Sequence, residues 1–534
     1  MKTMISSIIL ASCLALPLAS CSDSDVAPEQ KDWSTTTYFY SADAAMQDTY
    51  YKPTVGYVGD PMPFFDPVAG DFKVLYLQDF RPNPEGTYHP IWGVSTKDAA
   101  HYTSLGELVS CGTKKSQDAA IGTGSTIYDE ASKLYYTFYT GNKYLPTGDE
   151  SAQAVMVATS PDFKTWTKDR TFLLKGQDFG YDKNDFRDPF VFKGDDGKFH
   201  MLISTKKGGK GCLAEFVSDD LKNWTDNGVF MTMMWDRFYE CPDLFKMGDY
   251  WYLVYSEIHH AVRRVQYFKG RTLDELKACT ANDAGIWPDA HEGFLDSRGL
   301  YAGKTASDGT NRYLWGWCPT RSGKDNTAVG ASPAEPEWGG NLVCYKLIQH
   351  EDGTLTLGQV DAVSEKYNQD VAVEVKESQN MTEADGTYTL AGNAELDAYM
   401  LMGRLGNHNK ISFTVTTSNE WDKFGISMVR GSDSKKYYTM VVNPENENNR
   451  KVNFEEQGVE GKGFIAGIDG YVFARPADNV YNITIYTDNS ICVMYINDVC
   501  SYTNRIYGIQ KNCWSINSYN GANVKISNLK ISQY

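Results

Sequence analysis

Positive charge is what this chain most plainly lacks. Lys and Arg number 51 against 68 Asp and Glu, a formal net charge of −17. Neutralising phosphates takes a basic surface, which sets nucleic acid aside as a partner, and surplus acid of this kind mainly keeps a secreted protein soluble. Metal-binding patterns are missing as well. The 11 Cys form no CxxC pair and no Cys/His cluster at zinc spacing, and a chain of 534 residues needs no disulfide framework to fold. Beyond the N-terminus no apolar run is long enough to span a bilayer, and helical periodicity is scarce apart from a turn near Thr272 to Cys279.

The N-terminus reads as an export signal. Met1 and Lys2 precede an apolar run from Ile8 to Leu18, which is too short for a permanent membrane helix. It ends in Leu18-Ala19-Ser20-Cys21, which resembles a bacterial lipoprotein box, cut before Cys21 with that residue then acylated. The polar SDSDVAPEQKD that follows is expected to be a tether, and its acidity resembles the surface-export signal of Bacteroides-type lipoproteins. The expected location is therefore the outer membrane or cell surface, with a lipid anchor as the sole membrane contact. Nine Cys remain in the folded part, so at least one thiol stays free, and single buried thiols are expected.

What is present is a repeat. An apolar strand, a polar turn and an aromatic-rich strand recur at PMPFF-DPVAGD-FKVLYL from Pro61, GSTIY-DEAS-KLYYTFY from Gly124, DPFVF-KGDDG-KFHMLI from Asp188, CPDLF-KMGD-YWYLVYS from Cys241 and LYAGK-TASDGTN-RYLWGW from Leu300. Asp66-Pro67 reads as the tip of the first hairpin. Outer strands repeat too, as WGVSTKD from Trp92, VMVATSPDF from Val155 and LAEFVSDDL from Leu213, each ending in a Ser-containing turn. Five such units between about Tyr57 and about His350 imply a five-bladed β-propeller. Beyond it, strands of β-branched and aromatic residues from Lys410, Phe424, Tyr437, Tyr481, Ile491 and Val524 alternate with Gly/Asn/Asp turns, as in a β-sandwich. The fold class is all-β. The expected divisions are a signal over 1–20, a tether over 21–36, the propeller over 37–355, a linker over 356–371 and the sandwich over 372–534.

In a propeller the first strand of each blade lines a central channel, so equivalent positions of different blades face one another. Asp60, Asp188 and Glu240 fall four or five residues before the last aromatic of their strands, Phe65, Phe192 and Phe245, and are expected at one register. Cleaving a glycosidic bond needs one carboxylic acid for the leaving oxygen and one carboxylate across the anomeric carbon. Glu240 follows Phe238-Tyr239 and precedes Cys241-Pro242, a desolvated setting that suits a general acid. Asp60 sits between Gly59 and Pro61, where the backbone admits a ligand closely, and suits a nucleophile. Asp188 follows Arg187, whose charge is expected to hold it ionised as a hydrogen-bond acceptor. Singly, an Asp-Pro is common in turns and an Arg-Asp pair is commonly a surface ion pair; the argument lies in the conjunction. Aromatic residues at 13% without basic clusters suit a neutral ligand such as carbohydrate.

Asp60-Pro61, Arg187-Asp188-Pro189 and Glu240-Cys241 resemble the three signature motifs of glycoside hydrolase family 32, the β-fructosidases. Leu77-Gln78, Trp92-Gly93-Val94-Ser95, Gly124-Ser125, Leu300-Tyr301-Ala302 through Arg312 to Gly316-Trp317, and YTDNSICVMYIND with Arg505-Ile506-Tyr507 extend the resemblance over nearly the whole mature chain. It implies a retaining double displacement on a fructan or fructo-oligosaccharide. Asp60 would attack the fructosyl carbon, Glu240 protonate the leaving sugar, Asp188 bind fructose hydroxyls, and Gln78, Trp92, Arg187 and Cys241 line the fructose subsite. No metal or organic cofactor is called for.

The chain departs from the family at specific positions. The first motif usually reads Trp-x-Asn-Asp-Pro-Asn-Gly, and here Gly59 stands where the Asn would be. Gly122-Thr123 replace a Phe-Ser, and in the sandwich Asn489 and Val493 replace an Arg and a Glu. The acids survive while their surroundings change, which points to a shifted linkage or chain-length preference. Two other readings remain open on the residues: an inverting α-L-arabinofuranoside or arabinan hydrolase on a related five-bladed propeller, and a surface lipoprotein that binds glycans without cleaving them.

Overall fold

The structure is a computed structural model that describes residues 49–80, 89–233, 238–257, 264–279, 292–297, 299–320, 338–393, 395–430, 437–444, 451–457, 471–472 and 475–534. Cys21, with the signal and tether expected before it, lies outside the described residues.

Five antiparallel units of four strands follow one another. Their innermost strands are Tyr57–Asp66 (blade 1), Ala120–Asp129 (blade 2), Phe186–Lys193 (blade 3), Glu240–Met247 (blade 4) and Tyr301–Ser307 (blade 5). Each contacts the next and the fifth contacts the first, so the ring is closed and the acids' strands surround one channel. Blade 5 also closes onto blade 1 by strand pairing, through Val58 opposite Gly340.

Local chemistry explains the hairpins. In blade 1, Phe65 faces Phe72, and Asp66 Oδ1 accepts from the amides of Val68 at 2.9 Å and Ala69 at 3.2 Å, so the Asp66-Pro67 tip is an Asx turn closed by Gly70 at φ +66°. The turn after the third strand repeats almost atom for atom. Asp98, Asp162 and Asp220 each accept two amides through Oδ1, and the residue after each, Ala99, Phe163 and Leu221, is left-handed at φ +58°, +59° and +62°. That turn is the physical content of the sequence repeat. The short helix Leu273–Ala278 is capped by Thr272, whose side chain accepts from Glu275.

The C-terminal unit is two packed sheets, one of eight strands and one of seven, with Trp514, Met400, Ile426, Ile483 and Met494 among the residues of its core. The stretch 356–371, expected as a linker, is structured instead. Leu355–Gly358 is the outer strand of blade 5, Asp361–Lys366 is a helix, and Gln369–Val371 pairs with the last strand of the sandwich. Polar residues occupy this stretch because it runs along the outer edge, where one face meets solvent.

The two units are joined by buried polar contacts. Asp296, fully buried, accepts from the Thr503 amide and hydroxyl and from the Ser501 hydroxyl, each at 2.8 Å. Arg505 donates to the carbonyls of Pro319 and Cys318 and to Asn341 at 2.7–3.0 Å. Val493, standing where the family has Glu, packs into the hydrophobic cluster shared with blade 5. All nine Cys of the folded part are free thiols, eight of them buried.

Candidate active site

Every innermost strand breaks register at the same height. In blades 1, 3, 4 and 5 two residues oppose one on the neighbouring strand: Gly59-Asp60, Asp188-Pro189, Cys241-Pro242 and Ala302-Gly303. In blade 2 the extra residue is Thr123. These are β-bulges, which kink a strand, leave an amide outside the ladder and re-aim side chains. Asp188, Cys241 and Ala302 pass through them at φ +58°, +53° and +52°, a conformation costly for residues with a side chain.

The bulges correct one expectation. The three acids do not share a register: Glu240 is the last paired residue before its bulge, Asp188 the first bulged residue and Asp60 the second. The acids thus occupy three successive positions on three kinked strands. Counting back from the aromatic residues cannot see this.

A circuit of hydrogen bonds, completed by the chain at Arg187-Asp188 and by one ring contact, runs through all five blades and ties the acids together. Asp60 accepts through Oδ2 from the Thr123 hydroxyl at 2.7 Å and through Oδ1 from the Trp317 indole at 2.9 Å, so blades 2 and 5 hold it from either side. The Cys241 thiol lies 3.8 Å from the same Thr123 hydroxyl, and the Cys241 amide, freed by its bulge, donates to Asp188 Oδ2 at 2.9 Å. The Asp188 amide in turn donates to the Thr140 hydroxyl at 2.9 Å. Glu240 accepts from Arg187 at 2.8 Å through Oε1 and from the Tyr301 hydroxyl through Oε2. Tyr301 lies against Trp317 with centroids 5.6 Å apart, which closes the circuit back to Asp60.

Arg187 has a different role from the one its sequence neighbour implied. Its guanidinium is stacked on Phe238 at 3.9 Å and forks between Asp185, at 2.6 Å, and Glu240. Burial dominates at Asp188 and pushes its carboxyl up to about 6; Arg187 opposes this without cancelling it, and Glu240 and Asp60 add to it. Burial likewise drives the Cys241 thiol well above its ordinary value, so it is a neutral packing group with no nucleophilic character.

The other two residues expected in the sugar subsite stand on the second and third strands of blade 1. Gln78 is fully buried on the second strand of blade 1, and its amide donates to Val55 O. Trp92, on the third strand, lies against Phe80 at 5.8 Å. The sequence reading passed over Trp338. Its ring is 6.1 Å from Trp317 and stacks on His89 at 4.2 Å, and it occupies the space over Gly59, where an added Cβ would stand 2.2 Å from the indole. The side chain missing before Asp60 is thus replaced by an aromatic ring from another blade. No grouping of His, Cys, Asp and Glu among the described residues could hold a metal ion.

Residues 50–360 match the glycosyl hydrolases family 32 N-terminal domain, and residues 353–531 match a C-terminal domain described as GH32, BT1760-like. The chain belongs to glycoside hydrolase family 32. Its family 32 relatives include an insoluble β-fructofuranosidase isoenzyme of Arabidopsis thaliana, 26% identical over 53% of this chain and 50% of the relative. A fructan 6-exohydrolase of Beta vulgaris is 25% identical over 50% of this chain and 46% of its own length. The chain thus spans about half the length of these curated relatives. Among solved structures, fructan 1-exohydrolase IIa of Cichorium intybus has a TM-score of 0.68 at 16% identity, covering 92% of this chain and 97% of its own. Sucrose-6-phosphate hydrolase of Lactobacillus gasseri has a TM-score of 0.67 at 18% identity, covering 92% and 94%. At such identities the likeness speaks for the fold, and the five-bladed propeller followed by a β-sandwich is the family 32 architecture.

Proposed function

We propose that this protein is a retaining glycoside hydrolase of the β-fructosidase type, cleaving β-fructofuranosidic bonds in fructans or fructo-oligosaccharides. The observation that carries the reading is the circuit that joins Asp60, Asp188 and Glu240 through Thr123, Cys241, Arg187, Tyr301 and Trp317. Such a circuit fixes three carboxyl groups around one space before any sugar arrives, and preorganisation of this kind is what lowers a barrier.

Asp60, held at both oxygens, attacks the anomeric carbon as the fructosyl–oxygen bond breaks, while a proton from Glu240 passes to the leaving sugar. Water then attacks the fructosyl–Asp60 ester. Glu240 takes its proton, and Asp60 leaves as carboxylate. Arg187 and Tyr301 orient Glu240 for both transfers. Asp188 accepts from fructose hydroxyls, and its charge offsets the positive charge that develops on the ring. The double displacement calls for no cofactor.

The protein is proposed to be lipid-anchored through Cys21 on the outer membrane or cell surface, a reading supported by the Leu18-Ala19-Ser20-Cys21 sequence and the acidic tether after it. A Cys21→Ser variant that stays in the membrane fraction would overturn that.

Thin-layer chromatography of digests of levan, inulin, sucrose and arabinan tests the function. Fructose or fructo-oligosaccharides from at least one of the first three, with arabinan untouched, is expected. Arabinose release, or tight binding of levan or inulin without cleavage, contradicts it.

A further inference from the structure

Lys304 is a buried cation for which the reaction described above has no use. It lies on the innermost strand of blade 5, 2% exposed, at the first paired position beyond the Ala302-Gly303 bulge and so one register step past the position of Asp60. Its amine donates to the carbonyl of Gly124, in blade 2, at 2.8 Å. Blade 1 lies between blades 5 and 2 in the ring, so this side chain crosses the channel. The amine also stands 5.5 Å from the centroid of Phe190 in blade 3.

A buried ammonium is costly unless negative charge surrounds it. Here it does so from three blades: Asp60 in blade 1, Asp188 in blade 3 and Asp243 in blade 4 all interact electrostatically with Lys304. The neighbouring cations are committed elsewhere. Arg187 serves Asp185 and Glu240, while Arg312 faces Asp243 and donates to Thr305 at 2.7 Å. Burial pulls the Lys304 amine below its ordinary value, and the carboxylates around it act in the opposite direction.

We propose that Lys304 is a positioning residue for the three acids: its ammonium, laid across the channel, holds Asp60 and Asp188 as carboxylates and anchors the Thr123-Gly124 segment that grips Asp60. This rests on the reading of those acids as the site of fructosyl transfer. Asp60 must be ionised to attack, and Asp188 must be ionised to accept, yet both stand in a cluster of acids with Glu240 and Asp243, in which Asp188 and Asp243 are buried. Lys304 supplies the compensating charge without occupying the sugar's space.

The test is the pH dependence of kcat/KM on a β-fructoside for the full chain and its Lys304→Met and Lys304→Gln variants. Both variants lose the charge, and Lys304→Gln keeps a donor for Gly124. The acid limb is expected to move up by about one pH unit in each, so that activity at the wild-type limb falls about tenfold while kcat recovers at higher pH. A uniform loss at every pH, or an unmoved limb, overturns the proposal by leaving Lys304 a structural role only. Lysine-selective NMR titration of the wild-type protein reads the same claim without a substitution: Lys304 is expected to be charged at pH 7, and a neutral amine overturns it. A wild-type protein inactive on every β-fructoside instead overturns the functional reading itself.

Discussion

The backbone amide of Cys241 donates to Asp188 Oδ2 at 2.9 Å. A bulge in one blade thereby satisfies a carboxylate that a bulge in the next blade presents, and neither strand could place its residue without leaving the regular ladder. The five aligned bulges are the device by which a repetitive fold acquires one non-repetitive site.

Removing either reacting carboxyl group should abolish turnover and spare the fold. Asp60→Asn and Glu240→Gln each keep side-chain size and one of the two acceptor oxygens, so kcat is expected to fall at least about 1,000-fold while the protein still unfolds in one cooperative transition. Steady-state kinetics beside thermal unfolding checks both halves.

Asp188 makes the fold itself pH-dependent. Its carboxyl is pushed up to about 6 from an ordinary 3.8, so the native state holds its proton more tightly than the unfolded chain does. The stability contributed by that preference is fully present below about pH 4 and lost as pH rises through about 6. Asp188→Asn, neutral at every pH, is expected to stabilise the protein above pH 6 by up to about 3 kcal/mol, with little change near pH 4 and with loss of activity. Thermal unfolding of both proteins at pH 4.5 and pH 8 measures it.

Gly59 and Trp338 form a steric pair. Because a Cβ on residue 59 would stand 2.2 Å from the indole, Gly59→Asn is expected to displace Trp338 and lower kcat/KM about tenfold or more. Trp338→Ala added to it should recover part of the loss and alter the ratio of rates on sucrose and levan. Rates of the two single variants and the double variant on both substrates decide this.

Asp296 is the polar joint between propeller and sandwich. Asp296→Ala takes their carboxylate acceptor from the Ser297 and Thr503 amides and from the Thr503 hydroxyl, and a loss of about 3–5 kcal/mol of stability is expected. Denaturant unfolding of the wild type and variant reads it directly.

The sequence disclosed the blades because each hairpin and each Ser/Thr-x-Asp turn is a local event, with partners two or three residues apart. It disclosed the acids because each carries its own neighbours with it: Gly59 and Pro61, Arg187 and Pro189, Cys241 and Pro242. Their offset by one position per blade was hidden, since a bulge changes pairing across a hairpin without changing its length noticeably. The partners that hold Asp60, Thr123 from blade 2 and Trp317 from blade 5, are 63 and 257 residues away. Trp338 and Lys304 escaped notice for the same reason: their importance lies in what they face across the channel. Gln78 and Trp92 matched a pattern, but their side chains turn toward Val55 and Phe80. The stretch 356–371 looked like a linker because a four-residue outer strand and a six-residue helix are too short to show a period.

The configuration of the transfer product tests the central claim most directly, because it reports whether Asp60 and Glu240 act in two displacements on one carbon. Hydrolysis of a β-fructoside in aqueous methanol, followed by NMR of the methyl fructosides formed, is expected to give the methyl β-fructofuranoside. Methyl α-fructofuranoside as the first product would contradict the account.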